Sequence, residues 1–98
     1  MSAILSNCSP LFNPVNIGTL QIKNRLAVAP MVTVYCDPDG MATERYIAYH
    51  EARAKGGWGM IITEDYAVDP AGRGFWTAGL WKDEQIESHR ELTRRVHQ

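Results

Sequence analysis

The stretch Lys23-Asn24-Arg25-Leu26-Ala27-Val28-Ala29-Pro30-Met31 predicts a charged turn followed by a short buried strand. Residues 26–29 are apolar, which is typical of a strand buried in a sheet. The strand is expected to end at Pro30, because proline has no N–H to donate to a sheet. In α/β barrels the carboxyl ends of the parallel strands carry the ligand-binding groups. The segment that follows Ala29 is therefore predicted to lie at the ligand-binding edge of the sheet.

Hairpin and helix signals lie on either side of this strand. Residues 15–23 alternate apolar and polar positions around Gly18, which is the pattern of a β-hairpin. Thr43 is placed to cap a helix that ends near Lys55, where two glycines follow. Together they predict a hairpin, a strand and a helix in that order.

A second strand and a second helix follow in the same order. Residues 60–63 form another apolar run, and Asp83 is a plausible N-cap for the last helix. The inner stripe of that helix is predicted to consist of Ile86, His89, Leu92 and Val96. Alternating strands and helices imply a parallel sheet. A (β/α)8 TIM barrel needs ~250 residues, so we expect an α/β chain with an N-terminal hairpin plus the first two β/α units. Residues 1–98 would then be the N-terminal portion of a single barrel domain that is incomplete within them.

Composition excludes several classes of partner. The formal net charge of −1 offers no basic surface for nucleic acid or for an anionic membrane. The first residues lack the basic start and long apolar core of a secretory signal, so a cytoplasmic protein is expected. Cys8 and Cys36 do not have the spacing of a metal site or a redox pair, so two free thiols and no metal are predicted.

The end of the first strand is a candidate binding site. Small Ala29 and rigid Pro30 allow a flat ring to approach closely, and the peptide groups from Met31 onwards can hydrogen-bond the heteroatoms of such a ring. The alternative is that these residues only pack at the rim of a barrel. Residue types alone leave both interpretations open.

The end of the second strand carries two adjacent carboxylates. Glu64 and Asp65 could be acid–base groups or metal ligands, although two carboxylates alone are too few to hold a metal ion. Alternatively, one could pair with an arginine while the other bonds to backbone. We expect Glu64 to be structural. Tyr35 follows the first strand, where it either lines a substrate pocket or is an ordinary loop aromatic. The histidines are all on predicted helices, away from the carboxyl edge, and structural roles are expected for them: His50, His89 and His97.

Several motifs together resemble one known family. They are Leu11-Phe12-Asn13-Pro14, Lys23-Asn24-Arg25 before Ala29-Pro30-Met31, Gly57-Trp58-Gly59-Met60-Ile61-Ile62-Thr63-Glu64, Asp69-Pro70-Ala71-Gly72-Arg73, and Leu80-Trp81 before Asp83-Glu84. In order and spacing they resemble the N-terminal quarter of the Old Yellow Enzyme family of FMN-dependent oxidoreductases. The resemblance is closest to the branch that contains dienoyl-CoA reductases, enoate reductases and bacterial ene-reductases.

This resemblance implies an FMN site and a reaction. The cofactors would be FMN, with NAD(P)H as reductant, and the substrate a small-molecule alkene such as an enoate, an enone or an enoyl thioester. By position, Ala29, Pro30, Met31 and Val32 would line the flavin, with Asp65 next to them. The family often has threonine or cysteine where Val32 stands, and this side chain tunes the flavin by hydrogen bonding. Valine cannot do so, and Thr33 takes this role only if the end of the strand is shifted by one residue. Asp65 stands where the family usually has a small residue.

The resemblance places the remaining groups after Gln98. The family's proton donor, its substrate-binding positions and its phosphate loops all lie on later strands, so no catalytic residue is expected within this chain. Residues 1–98 alone are predicted to be inactive. Whether an iron–sulfur cluster follows, and whether the protein forms a homo-oligomer, stays open.

Two other hypotheses remain at this stage. A tRNA dihydrouridine synthase is also an FMN barrel whose first strand ends in Ala-Pro-Met, although it lacks the opening hairpin and needs a basic surface for RNA. A non-catalytic remnant or assembly module would use its open strand edges to bind a partner.

Overall fold

A computed structural model describes residues 7–98, so most of the N-terminal stretch from which the cytoplasmic location was expected lies outside the described residues. The elements in chain order are a 3-10 turn (Ser9–Phe12), β1 (Val15–Ile17), β2 (Leu20–Ile22), β3 (Ala27–Val28), α1 (Glu44–Lys55), β4 (Met60–Ile61), β5 (Tyr66–Ala67), a second 3-10 turn (Pro70–Gly72), β6 (Ala78–Gly79) and α2 (Glu84–Val96). Within these residues, no helix is long and apolar enough to cross a membrane.

The predicted hairpin is present. β1 and β2 pair antiparallel, with Val15 opposite Ile22 and Ile17 opposite Leu20. Gly18 adopts a φ of 59°, a left-handed conformation that glycine accepts without steric cost. The turn residues therefore set the position of the hairpin, as the sequence predicted.

The first β/α unit is also as predicted. β3 and β4 pair in parallel through the crossover helix α1, with Ala27 opposite Met60 and Val28 opposite Ile61. The Ile62 N–H donates to the Val28 carbonyl at 3.1 Å, at the carboxyl end of the pair. This end of β3 and β4 is where the candidate site lies.

A third pair of short strands was not predicted. β5 and β6 run parallel, with Tyr66 opposite Ala78 and Ala67 opposite Gly79. The loop between them contains the second 3-10 turn, which Asp69 caps by accepting from the Ala71 N–H. The pairing brings Ala78 back beside the end of β4.

The helix boundaries follow the predicted caps, with one correction. The Thr43 side chain accepts from the Tyr46 N–H and caps α1. Asp83 stands at the N-cap of α2, but its side chain makes no capping bond. The Gln85 side-chain oxygen instead fixes the turn before the helix, because it accepts from the N–H of Trp81 at 2.7 Å and of Lys82 at 3.2 Å.

The inner face of α2 also differs from the prediction. His89 and Leu92 are buried as expected, but Ile86 is 46% exposed and Gln85 is fully buried. The Gln85 amide group also donates to the Asp39 carbonyl at 3.0 Å, so its polar atoms are satisfied inside the fold. Val96 also packs against the core as predicted. The difference is therefore confined to the first turn of the helix, where buried Gln85 takes the place expected for Ile86.

The two helices pack on each other around one core. Its buried members are Cys36, Ala42, Tyr46, Ile47, Ala78 and Leu92. Arg95 of α2 also links the two helices through ion pairs with α1. Its guanidinium donates to both carboxylate oxygens of Glu51, at 2.8 and 3.1 Å, and to Glu44. The core therefore holds the helices behind β3 and β4 and leaves the carboxyl edge of the strands open.

Candidate functional site

The carboxyl ends of β3 and β4 present an apolar surface to solvent. Residues 29–32 leave β3 as an exposed segment, in which Met31 is 57% and Val32 is 45% exposed. Ile62, which directly follows β4, is 45% exposed. Exposed apolar side chains clustered at one edge mark a surface that another group covers.

Glu64 lies behind this surface and is almost completely buried. Its carboxylate is 3% exposed, and one oxygen accepts from both the N–H and the hydroxyl of Thr33, at 3.0 and 2.8 Å. The other oxygen accepts from the N–H of Ala78 at 3.0 Å. This is the backbone-bonded structural role that was expected for Glu64.

Asp65 points the other way. Successive residues of an extended chain alternate between faces, so the neighbour of a buried carboxylate is directed outwards. Asp65 is accordingly exposed. The sequence predicted separate roles for these two adjacent carboxylates. In the structure Glu64 is buried and Asp65 is exposed to solvent.

The backbone is strained at Val34, immediately after Thr33. Its φ is +60°, a left-handed conformation that is a genuine outlier for a β-branched residue. The Tyr35 N–H donates to the Thr33 hydroxyl at 3.2 Å, and the Thr43 hydroxyl donates to the Tyr35 carbonyl. Strained residues persist where surrounding contacts hold them, and such places cluster at functional sites. No sequence signal identified this position, since valine does not favour such a turn.

Tyr35 itself packs against the beginning of α1. Its ring meets the Tyr49 ring edge-on with centroids 5.7 Å apart, and the Arg45 guanidinium lies 3.9 Å from its centroid. The ring is half-buried by these contacts. A role in a substrate pocket stays a prediction for this residue.

Arg73 connects the loop that follows β3 to the loop between β5 and β6. Its guanidinium donates to the carbonyl of Thr77 at 2.6 Å and to the carbonyl of Asp37 at 2.8 Å, and it also reaches the carbonyl of Pro38. An arginine that binds several backbone carbonyls fixes the course of both loops. The sequence contained this residue in a loop motif but gave no signal for its partners.

Two titratable side chains, His50 and Cys36, are buried beneath the strands and loops. His50 is 2% exposed and lies edge-on to the rings of Tyr46 and Tyr49, with centroids 4.8 and 5.1 Å away. Burial lowers the pKa of His50, which keeps the ring neutral. Burial likewise raises the pKa of the Cys36 thiol to about 12, so it carries no reactive thiolate near neutral pH. Within residues 7–98, no three metal-ligating side chains come together.

A cleft of about 640 Å³ lies at the opposite end of the strands. It is lined by hairpin residues, by the last turns of both helices, where Arg95 lies, and by Trp58, which stands between α1 and β4. In barrels this amino-terminal end contributes stability, whereas the carboxyl end binds ligands. The candidate site therefore remains the edge formed by residues 29–32 and Asp65.

The fold is that of the first part of a β/α barrel, and the candidate binding surface lies at its carboxyl face. Residues 10–98 match the family described as NADH:flavin oxidoreductase / NADH oxidase. The chain belongs to this family. The resemblance to the Old Yellow Enzyme group is thereby confirmed.

Curated relatives and solved structures agree with this assignment. The chain is 39% identical over 88 residues to an NADPH dehydrogenase of Bacillus subtilis, covering 88% of this chain and 26% of that protein. It is 35% identical over 91 residues to an NADPH dehydrogenase of Listeria monocytogenes, covering 91% of this chain and 27% of that protein. The chain thus spans about a quarter of the length of these relatives.

Two solved structures superimpose closely. Morphinone reductase, in complex with tetrahydroNAD, has a TM-score of 0.80 at 32% identity, covering 89% of this chain and 23% of that one. A variant of NCR from Zymomonas mobilis has a TM-score of 0.81 at 33% identity, covering 89% and 28%. They confirm the predicted fold class, an N-terminal hairpin with the first two units of a (β/α)8 barrel.

Proposed function

We propose that residues 1–98 are the N-terminal portion of one FMN-binding barrel domain, and that the enzyme uses NAD(P)H to reduce an activated C=C bond. Membership of a flavin oxidoreductase family supports this proposal. The observation that carries it is the exposed segment after β3, which lies at the carboxyl edge where barrels bind their ligands.

The residues at this edge fit a flat flavin ring. Ala29 and Pro30 offer little bulk, and Met31 and Val32 expose apolar side chains that can cover a ring face. Within the described residues, the peptide N–H groups of Met31 and Val32 donate to no other residue, which leaves them free to bind ring heteroatoms. When bound, FMN supplies hydride transfer between a nicotinamide and an alkene.

Each site residue receives a role in this proposal. Ala29, Pro30, Met31 and Val32 form one wall and exclude water from it, and Asp65 places a carboxylate beside the same edge. Thr33 donates its hydroxyl proton to Glu64, so a hydrogen bond from Thr33 to a flavin requires that bond to break. The substrates we propose are enoates, enones or enoyl thioesters.

The hairpin favours this function over a tRNA dihydrouridine synthase. β1 and β2 are formed as the Old Yellow Enzyme resemblance requires, and the family match covers them. The net charge of −1 also provides no surface for RNA.

The proposal is tested on the full-length protein. We expect it to carry stoichiometric FMN, identified after release from the protein, and to oxidise NAD(P)H only when an enone is present. Ala29→Trp fills the space for the ring and is expected to raise the FMN dissociation constant about 5- to 150-fold, which corresponds to an overpacking cost of about 1–3 kcal/mol. The matched control is Ala52→Trp, on an exposed position of α1. A full-length protein that binds no FMN, or an Ala29→Trp variant with wild-type affinity, would contradict the proposal.

A further inference from the structure

We propose that Glu64 is a positioning residue that acts through Thr33 on residues 29–32, the flavin wall. The inference rests on the proposed function, because it concerns the segment that would line the flavin. Residues 29–32 have no strand pairing of their own, so something else must set their course. The contacts of Glu64 identify it as the group that does so.

The wall segment is held at its two ends. At the start, the Ile62 N–H donates to the Val28 carbonyl, beyond which the β3–β4 pairing stops. At the far end, Thr33 donates both its N–H and its hydroxyl to one oxygen of Glu64. Four residues lie between these two anchors, and they are the four that would contact the flavin.

Glu64 in turn is fixed from a third segment. Its second oxygen accepts from the N–H of Ala78 in β6, and the side chain is 3% exposed. An ionised carboxylate only accepts hydrogen bonds, and three donors converge on this one. A buried carboxylate that accepts three hydrogen bonds has little freedom to move, so it can fix the position of Thr33.

The left-handed backbone of Val34 supports the view that Thr33 is held in place. A left-handed β-branched residue relaxes unless its neighbours are held, and Thr33 directly precedes Val34. The Thr33 hydroxyl serves both sides of this arrangement, since it donates to Glu64 and accepts from the Tyr35 N–H. Binding sites need such supported geometry because a loosely held wall binds its ligand less tightly.

The test uses Glu64→Gln in the full-length protein. Glutamine has nearly the same shape, but its NH2 group meets a donor where one carboxylate oxygen accepted. A buried donor left without a partner is costly, and we expect the FMN dissociation constant to rise by about tenfold. The absorption spectrum of the bound flavin is expected to shift as well. The matched control, Glu84→Gln, removes the same charge from an exposed position on α2.

A second pair of variants tests the link through Thr33 and does not depend on the folding of Glu64→Gln. Thr33→Val loses the hydroxyl bonds to Glu64 and to the Tyr35 N–H, and we expect weaker FMN binding. Thr33→Ser keeps the hydroxyl and is expected to restore the wild-type affinity. The melting temperature of each apoprotein is measured in parallel.

The outcomes separate this inference from the proposed function. A wild-type protein that binds no FMN overturns the proposed function and this inference with it. Wild-type binding together with unchanged FMN affinity and spectrum in both Glu64→Gln and Thr33→Val overturns only the positioning role. In that case a lowered apoprotein melting temperature would show that Glu64 contributes to stability alone.

Discussion

Two neighbouring carboxylates at the end of β4 have opposite environments. Glu64 is buried and accepts three hydrogen bonds, whereas Asp65 is exposed. The alternation of an extended backbone explains the difference, because adjacent side chains leave on opposite faces. A buried, hydrogen-bonded carboxylate and an exposed carboxylate can therefore occupy consecutive positions.

Asp65 is predicted to lower the reduction potential of the flavin in the full-length enzyme. Reduction adds negative charge to the ring, and a nearby carboxylate opposes that charge. Asp65→Ala should therefore raise the potential, measured by reductive titration against a reference dye. Glu87→Ala is the control, since that glutamate is exposed on α2. An unchanged potential in Asp65→Ala would show that the carboxylate does not face the flavin.

At single positions, the sequence predicted what short-range chemistry decides. The Thr43 cap and the turn glycine Gly18 were predicted correctly, because each acts on its own neighbours. The burial of Gln85 in place of Ile86 was missed, because the amide group of Gln85 finds its partner at Asp39, far away in the chain. The left-handed backbone at Val34 was missed because valine rarely adopts this conformation and no local pattern indicates it.

Between elements, Asn24 connects β3 and β4. Its side-chain N–H donates to the Gly57 carbonyl at 2.7 Å, and its side-chain oxygen accepts from the Leu26 N–H at 3.0 Å. It therefore joins the turn before β3 to the turn before β4. Gly59 lies directly against it, so the two turns can approach only where a side chain is missing.

Gly59→Ala is predicted to destabilise this contact. A Cβ at position 59 would lie 2.7 Å from the backbone oxygen of Asn24, and backbone cannot move aside cheaply. We expect the free energy of unfolding to fall by about 1–3 kcal/mol, as in other overpacked sites. Chemical denaturation of the full-length protein measures this. Gly74→Ala is the control, because a Cβ there meets nothing within 4 Å. Equal stability of the two variants would refute the close approach.

The elements themselves were predictable where their signals are local. The hairpin, α1, α2 and the β3–β4 pair all follow from periodicity and from the residues that interrupt it. β5 and β6 were missed because they pair across the loop of residues 68–77, which no local pattern in the sequence indicates. The Glu64 carboxylate also accepts from the Ala78 N–H, a contact between separate parts of the sequence.

Across the whole molecule, apolar side chains are exposed at both ends of β3 and β4. Met31, Val32 and Ile62 lie at the carboxyl edge, and Leu20 and Trp58 lie at the other end. A two-stranded parallel sheet also leaves its outer edges unpaired. We propose that further strands and helices of the same barrel cover these surfaces, and that FMN covers the wall at the carboxyl edge.

A crystal structure of the full-length protein with FMN would locate the flavin ring. We predict that the ring lies against residues 29–32, beside Asp65, with Glu64 still bonded to Thr33. A flavin that binds elsewhere and contacts none of these residues would contradict it.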